Sequence, residues 1–113
     1  MRPRRARARC KALVFVGDAV EEDVDRLGDL AGRLKLLGLP VFVFQEGADA
    51  ASGRAFAQIA KLSGGAHCRF DESSAAELGA LLGAVATYAA GGREALRALS
   101  GTSAQANRLL EQL

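Results

Sequence analysis

The sequence predicts an α/β fold: a Rossmann-like, three-layer parallel sheet that is partial, built from three strand–helix units. Three observations predict it. Two short runs, Ala12 to Gly17 and Val41 to Phe44, are apolar without polar alternation, the pattern of strands covered on both faces. Segments with apolar residues at three- and four-residue spacing lie between the strands. The connections are short and glycine-marked, which favours parallel strands joined by right-handed crossovers.

Taken in order, Ala12 to Gly17 is the first strand and stops on Asp18. Glu21 to Leu37 is the first helix, with Val24, Leu27, Ala31, Leu34 and Leu37 on one face and Asp25, Asp29, Arg33 and Lys35 elsewhere. Its acidic start (Glu21, Glu22, Asp23) and basic end suit the helix dipole. Gly38 stops it, with Pro40 just beyond. Val41 to Phe44 is the second strand and runs into Gln45-Glu46-Gly47. Gly53 to Leu62 is the second helix, offering Ala55, Phe56, Ile59, Ala60 and Leu62 for packing, and Gly64-Gly65 ends it. Ala66 to Phe70 is a third, weaker strand. Ser74-Ala75-Ala76-Glu77 has capping-box spacing and opens a helix to about Ala90, with Leu78, Leu81, Leu82, Val85 and Tyr88 as its stripe. Gly91-Gly92 interrupts it. Arg93 to Leu113 is one or two short helices broken near Gly101. The first strand lies at the sheet's edge unless something pairs with it, and an apolar edge is an aggregation hazard.

With 113 residues, half of them hydrophobic, the chain is long enough for one small domain. Its charge is unevenly placed. Six basic residues (Arg2, Arg4, Arg5, Arg7, Arg9, Lys11) and no acid precede Ala12; nine bases and 13 acids remain for the rest, which is acidic at −4. Residues 1–11 are thus a basic tail, expected to be disordered. A folded nucleic-acid surface needs clustered bases interleaved with aromatic groups, and neither is present. No apolar run approaches the roughly 20 residues of a membrane span. The apolar stretch before Asp18 is too short for a secretory signal, so the paired Arg4-Arg5 is no export signal either. Cys10 and Cys68 form no disulfide framework, and a cytoplasmic protein is expected.

Asp18, Glu46 and Asp71 each follow a strand, which places three carboxylates at one end of a parallel sheet, where ligands bind in open α/β folds. Oxygen donors of this kind suit Mg2+. The competing expectation is structural: Asp18 and Asp71 cap the helices that follow them, and Glu46 is solvated. His67 and Cys68 are adjacent on a strand, face opposite sides and cannot chelate one ion together. Neither has an evident partner for nucleophilic chemistry. No phosphate-binding glycine pattern follows any strand.

From about Ala12 to Gly92 the chain resembles the C-terminal half of a von Willebrand factor type A domain of the bacterial intracellular kind. Three segments carry the likeness. Gly17-Asp18-Ala19 stands where the family usually has Thr-Asp-Gly. Gly38-Leu39-Pro40-Val41-Phe42-Val43-Phe44 looks like its helix-turn-strand segment. Phe56-Ala57-Gln58-Ile59-Ala60-Lys61-Leu62-Ser63-Gly64-Gly65 is similar to its "Leu-x-x-Ile-Ala-x-x-(Thr/Ser)-Gly-Gly" helix and is the most specific of the three. The resemblance implies the last three strands of such a domain, with a tail (1–11) before them and a helical extension (93–113) after.

It also implies a metal-ion-dependent adhesion site of which only the third loop is present, with Asp18 as its residue. The family's Asp-x-Ser-x-Ser loop occurs nowhere here, and Gly17 replaces the usual Thr. A truncated gene or misplaced start accounts for the missing half, as does a short protein that uses another chain's half-sheet. The expected function is therefore a non-enzymatic protein-interaction module with an incomplete metal site. Mg2+ is expected only if a missing half or a partner completes that site. The partner is a protein, engaged through the exposed first strand, with no role for nucleic acid or membrane. The alternative is a small Rossmann-like enzyme or phosphoacceptor domain using Asp18; it needs further acids and a late Lys, and Lys61 lies on a helix instead.

Overall fold

The strands and helices alternate along the chain and then give way to helices alone. A computed structural model of the protein describes residues 11–17, 24–47, 49–71 and 74–113. The elements are β1 (Leu13–Gly17), α1 (Val24–Leu36), β2 (Val41–Glu46), α2 (Ala50–Ser63), β3 (Ala66–Phe70), α3 (Ala75–Ser100) and α4 (Ala104–Leu110). The three strands form one parallel sheet in the order β1-β2-β3. The α/β, Rossmann-like parallel sheet expected from the sequence is the fold of the chain.

Strand β2 is central, and its alternate side chains feed two cores. Val41 and Val43 pack with Phe56 and Ala60 of α2 and with Leu34 of α1. Phe42 and Phe44, both fully buried, pack on the opposite face with Ala66, Cys68 and Phe70 of β3, Leu81, Ala84, Val85 and Leu96 of α3, and Ala106 and Leu109 of α4. The register carries this division across the sheet, pairing Phe15 with Val43 and Val16 with Phe44. It also pairs Val43 with His67 and Phe44 with Cys68. His67 and Cys68 accordingly take opposite faces, as strand alternation requires.

Glycines set two tight junctions. Gly64, at φ 86°, turns the chain out of α2, and the Gly65 N–H closes the turn on the Ala60 carbonyl at 2.8 Å. At Gly65 a Cβ would overlap the Val41 carbonyl, so no side chain fits where α2 meets β2. The buried Ser63 hydroxyl fastens the same corner: it accepts from the Val41 N–H at 2.9 Å and donates to the Ala60 carbonyl at 3.0 Å. Inside α3, Gly92 leaves helical geometry at φ 72°, ψ −164°, the interruption expected at Gly91-Gly92. The chain then re-enters a helix that delivers Leu96 to the core, turns again around Gly101 and returns in α4.

Several expectations are corrected. α2 begins at Ala50, three residues before Gly53, because Asp49 caps it by accepting from the Ser52 N–H and hydroxyl. Ser74 caps α3, accepting from the Glu77 N–H at 3.2 Å, so Asp71 does not. The Glu77 carboxylate reaches past the usual capping-box partner to accept from the Asp71 N–H at 3.0 Å. Leu37 is 78% exposed and lies off the packed face of α1, and Leu62 and Leu82 are exposed as well. The largest correction concerns β1. Its uninterrupted apolar run predicts burial, yet Leu13, Val14, Phe15 and Val16 are 37 to 47% exposed. Position explains it: among the described residues β1 has a neighbouring strand on one side alone, and both helical layers centre on β2 and β3.

Candidate interaction surface

Strand β1 offers an edge whose backbone is half used. The Leu13 N–H donates to the Pro40 carbonyl at 3.0 Å, so Leu13, Phe15 and Gly17 turn their amide groups towards β2. Alternation turns the N–H and C=O groups of Val14 and Val16 the other way. Among the described residues no strand lies on that side. Leu13 and Phe15 share a face with Val43, and the Phe15 ring rests 5.5 Å from that of Phe56, tilted by 51°. Val14 and Val16 share the other face with Phe42 and Phe44. Open amide groups and apolar side chains on both faces therefore coincide along four consecutive residues.

The opposite edge of the sheet is treated differently. The Gln112 side-chain amide accepts from the His67 N–H at 2.8 Å and donates to the His67 carbonyl at 2.8 Å, making both bonds that a neighbouring strand would make. Arg108 donates to the Arg69 carbonyl at 3.0 Å and pairs with Glu77 at 3.5 Å. Side chains of α4 and the residues after it thus occupy the outer edge of β3. Polar groups brought across the end of a strand are one of the ways proteins block unwanted strand pairing. β1 has no such cover among the described residues.

Two polar features lie away from β1. Gln45, fully buried at the end of β2, accepts from His67 Nε2 at 2.9 Å and Arg69 Nε at 3.4 Å. It donates to the Asp49 carbonyl at 3.0 Å, which orients the amide and places the His67 proton on Nε2. Burial holds the His67 imidazole below its usual 6.5, and the nearby Arg69 and Arg108 charges push the same way. The Ser52 hydroxyl, at 2.5 Å from its carboxylate, holds Asp49 below the usual carboxylate range. A shallow cavity of about 410 Å³ lies beside β3, lined by His67, Cys68, Arg69, Arg108, Glu111 and Gln112. Burial pushes the Cys68 thiol upwards, so it is poorly suited to act as a thiolate at neutral pH.

The expected metal residue, Asp18, lies outside the described residues, as do Cys10, the basic residues before Lys11, and Glu21 to Asp23. Glu46 and Asp71 end neighbouring parallel strands, the common end expected of them. Among the described residues no group of three His, Cys, Asp or Glu side chains can hold a metal ion. Lys61 sits exposed on α2. None of the described helices is long and apolar enough to cross a membrane. Sequence reasoning missed Gln45, Arg108 and Gln112. A glutamine closing the apolar run Val41 to Phe44 was a signal for the first; the other two lie about 40 residues from their partners and left none. No family model, curated protein or solved structure matches the chain.

Proposed function

We propose that the chain is a non-enzymatic protein-interaction module that works by strand addition, accepting an extended segment of another polypeptide at the outer edge of β1. One observation carries this reading: Val14 and Val16 turn their amide groups outward while Leu13 to Val16 leave 37 to 47% of their surface open. Main-chain hydrogen bonds give such an edge its affinity, and alternate side chains give it selectivity. The resemblance to half of a von Willebrand factor type A domain supports the same reading, since β1 then takes the place of an interior strand. In that reading Asp18 is one third of a metal site and binds no ion tightly alone.

Amide hydrogen exchange on the dilute full-length chain tests the edge. Rapid exchange at Val14 and Val16 beside slow exchange at Phe42 and Phe44 is expected; protection of both edge amides at high dilution would overturn the proposal. Mg2+ titration by calorimetry, on wild type and Asp18→Ala, tests the metal part. No tight site is expected in either, and a tight site lost in the variant would show that the chain completes it unaided.

A further inference from the structure

Resting on the strand-addition reading, we propose that the polypeptide accepted at β1 is a second copy of this chain, paired antiparallel across a two-fold axis at Phe15. The backbone admits this register, and the bounds of β1, Leu13–Gly17, favour it because all its bonds then lie within the strand. Val14 and Val16 carry the outward N–H and C=O groups, two donors and two acceptors. In an antiparallel ladder, residues that exchange both bonds alternate with residues that exchange none. With Phe15 facing the partner's Phe15, Val14 exchanges both bonds with the partner's Val16, and Val16 with the partner's Val14. All four outward groups on each chain are then used. Shifting the axis by one residue either way pairs one valine with its own copy and sends the other to Ala12 or beyond Gly17.

Side chains agree with that register. The two Phe15 rings come together at a non-hydrogen-bonded position, on the face where each already touches Phe56. Val14 and Val16 meet on the other face, so Val14, Phe15 and Val16 each meet an exposed apolar side chain, and Leu13 lies over the partner's Gly17. Charge selects the antiparallel direction. No charged residue interrupts Ala12 to Gly17, while Lys11 and five arginines precede it. Parallel pairing would set the two basic segments side by side, and antiparallel pairing sends them to opposite ends. A five-residue ladder covers less than the roughly 800 Å² per partner of a standard interface. The pair is therefore expected to form and dissociate with concentration.

Sedimentation velocity of the full-length chain over a concentration series reads the association. The mass is expected to rise from 11.8 kDa towards twice that value. Val14→Pro removes an outward N–H without touching the β2 ladder, and Pro is tolerated on sheet edges, so this variant stays monomeric. A cysteine pair guards against its failing to fold. In a Cys10→Ser background, Phe15→Cys is expected to form a disulfide-linked dimer on mild oxidation, because facing residues lie about 4.5 Å apart. Val14→Cys is not, because its own copy then lies beyond the roughly 7 Å reach of a disulfide. Equal cross-linking of both variants, or of neither, overturns the proposal, as does growth beyond a dimer. A monomer at all concentrations with freely exchanging Val14 and Val16 amides overturns self-pairing and leaves strand addition standing. A monomer in which those amides are protected overturns both.

Discussion

Gln45 is a neutral side chain with no surface exposure, yet it joins three elements. Its amide binds β2 to β3 through His67 and Arg69 and holds the first turn of α2 through the Asp49 carbonyl. The imidazole it meets is more readily deprotonated than a free one. Between the native value and 6.5, the unfolded chain therefore binds a proton that the native chain refuses. Stability rises with pH across that window. It is expected to be lost as pH falls below about 6.5 and to level off once the native histidine is protonated too. Urea midpoints on either side of 6.5 measure this, and His67→Gln should flatten the difference. Ser63 makes the second residue-level prediction. Ser63→Ala strands the buried Val41 N–H, and an unsatisfied buried donor costs about 1–3 kcal/mol. Chemical denaturation reads that loss, with no change expected in the denaturant slope.

Elements differ in how plainly the sequence announces them. β2 and the end of α2 were legible because their signals are local: an apolar run, and a glycine pair fitted to a left-handed turn; β3, with His67 and Arg69 in it, was the weaker signal. The helix break at Gly92 was legible for the same reason. The start of α2 was harder to read, because its cap is an aspartate whose role depends on Ser52 folding back towards it. The exposure of β1 was not legible from its own residues. A run that predicts burial becomes an edge when the rest of the sheet lies on one side of it. The candidate surface was accordingly half visible, the strand from its composition and its openness only from topology. Gly92 carries a prediction at this scale. Its φ 72°, ψ −164° geometry is open almost only to glycine, and forcing another residue there costs about 1–3 kcal/mol. Gly92→Ala is expected to lose stability in that range by thermal or urea unfolding. Increased amide exchange in α4 should accompany the loss, since the segment after the kink holds Leu96 beside Leu109 in the core.

At the scale of the whole molecule, the two sides of the sheet are unequal. One core, built by Phe42, Phe44 and three helical segments, is large and closed; the other, around Val41, Val43, Phe56 and Ala60, is small and thins out towards β1. The chain's final helical turns cross to the far strand, so their stabilisation falls on β3 and leaves β1 dependent on β2. Opening free energies measured residue by residue are expected to follow this gradient. β1 amides that face β2 should exchange through small local openings, and β2 and β3 amides only through global unfolding.

Gln112 acts on the sheet as a chain terminator acts on a growing polymer. A sheet with two open edges adds neighbours without limit, whereas one with a single open edge can add one neighbour and then has none to offer. In the proposed pair, the amide that accepts from and donates to His67 is what stops growth at two copies. Gln112→Val is expected to leave the monomer folded and to convert a finite pair into open-ended aggregates, visible as light scattering that keeps rising with time.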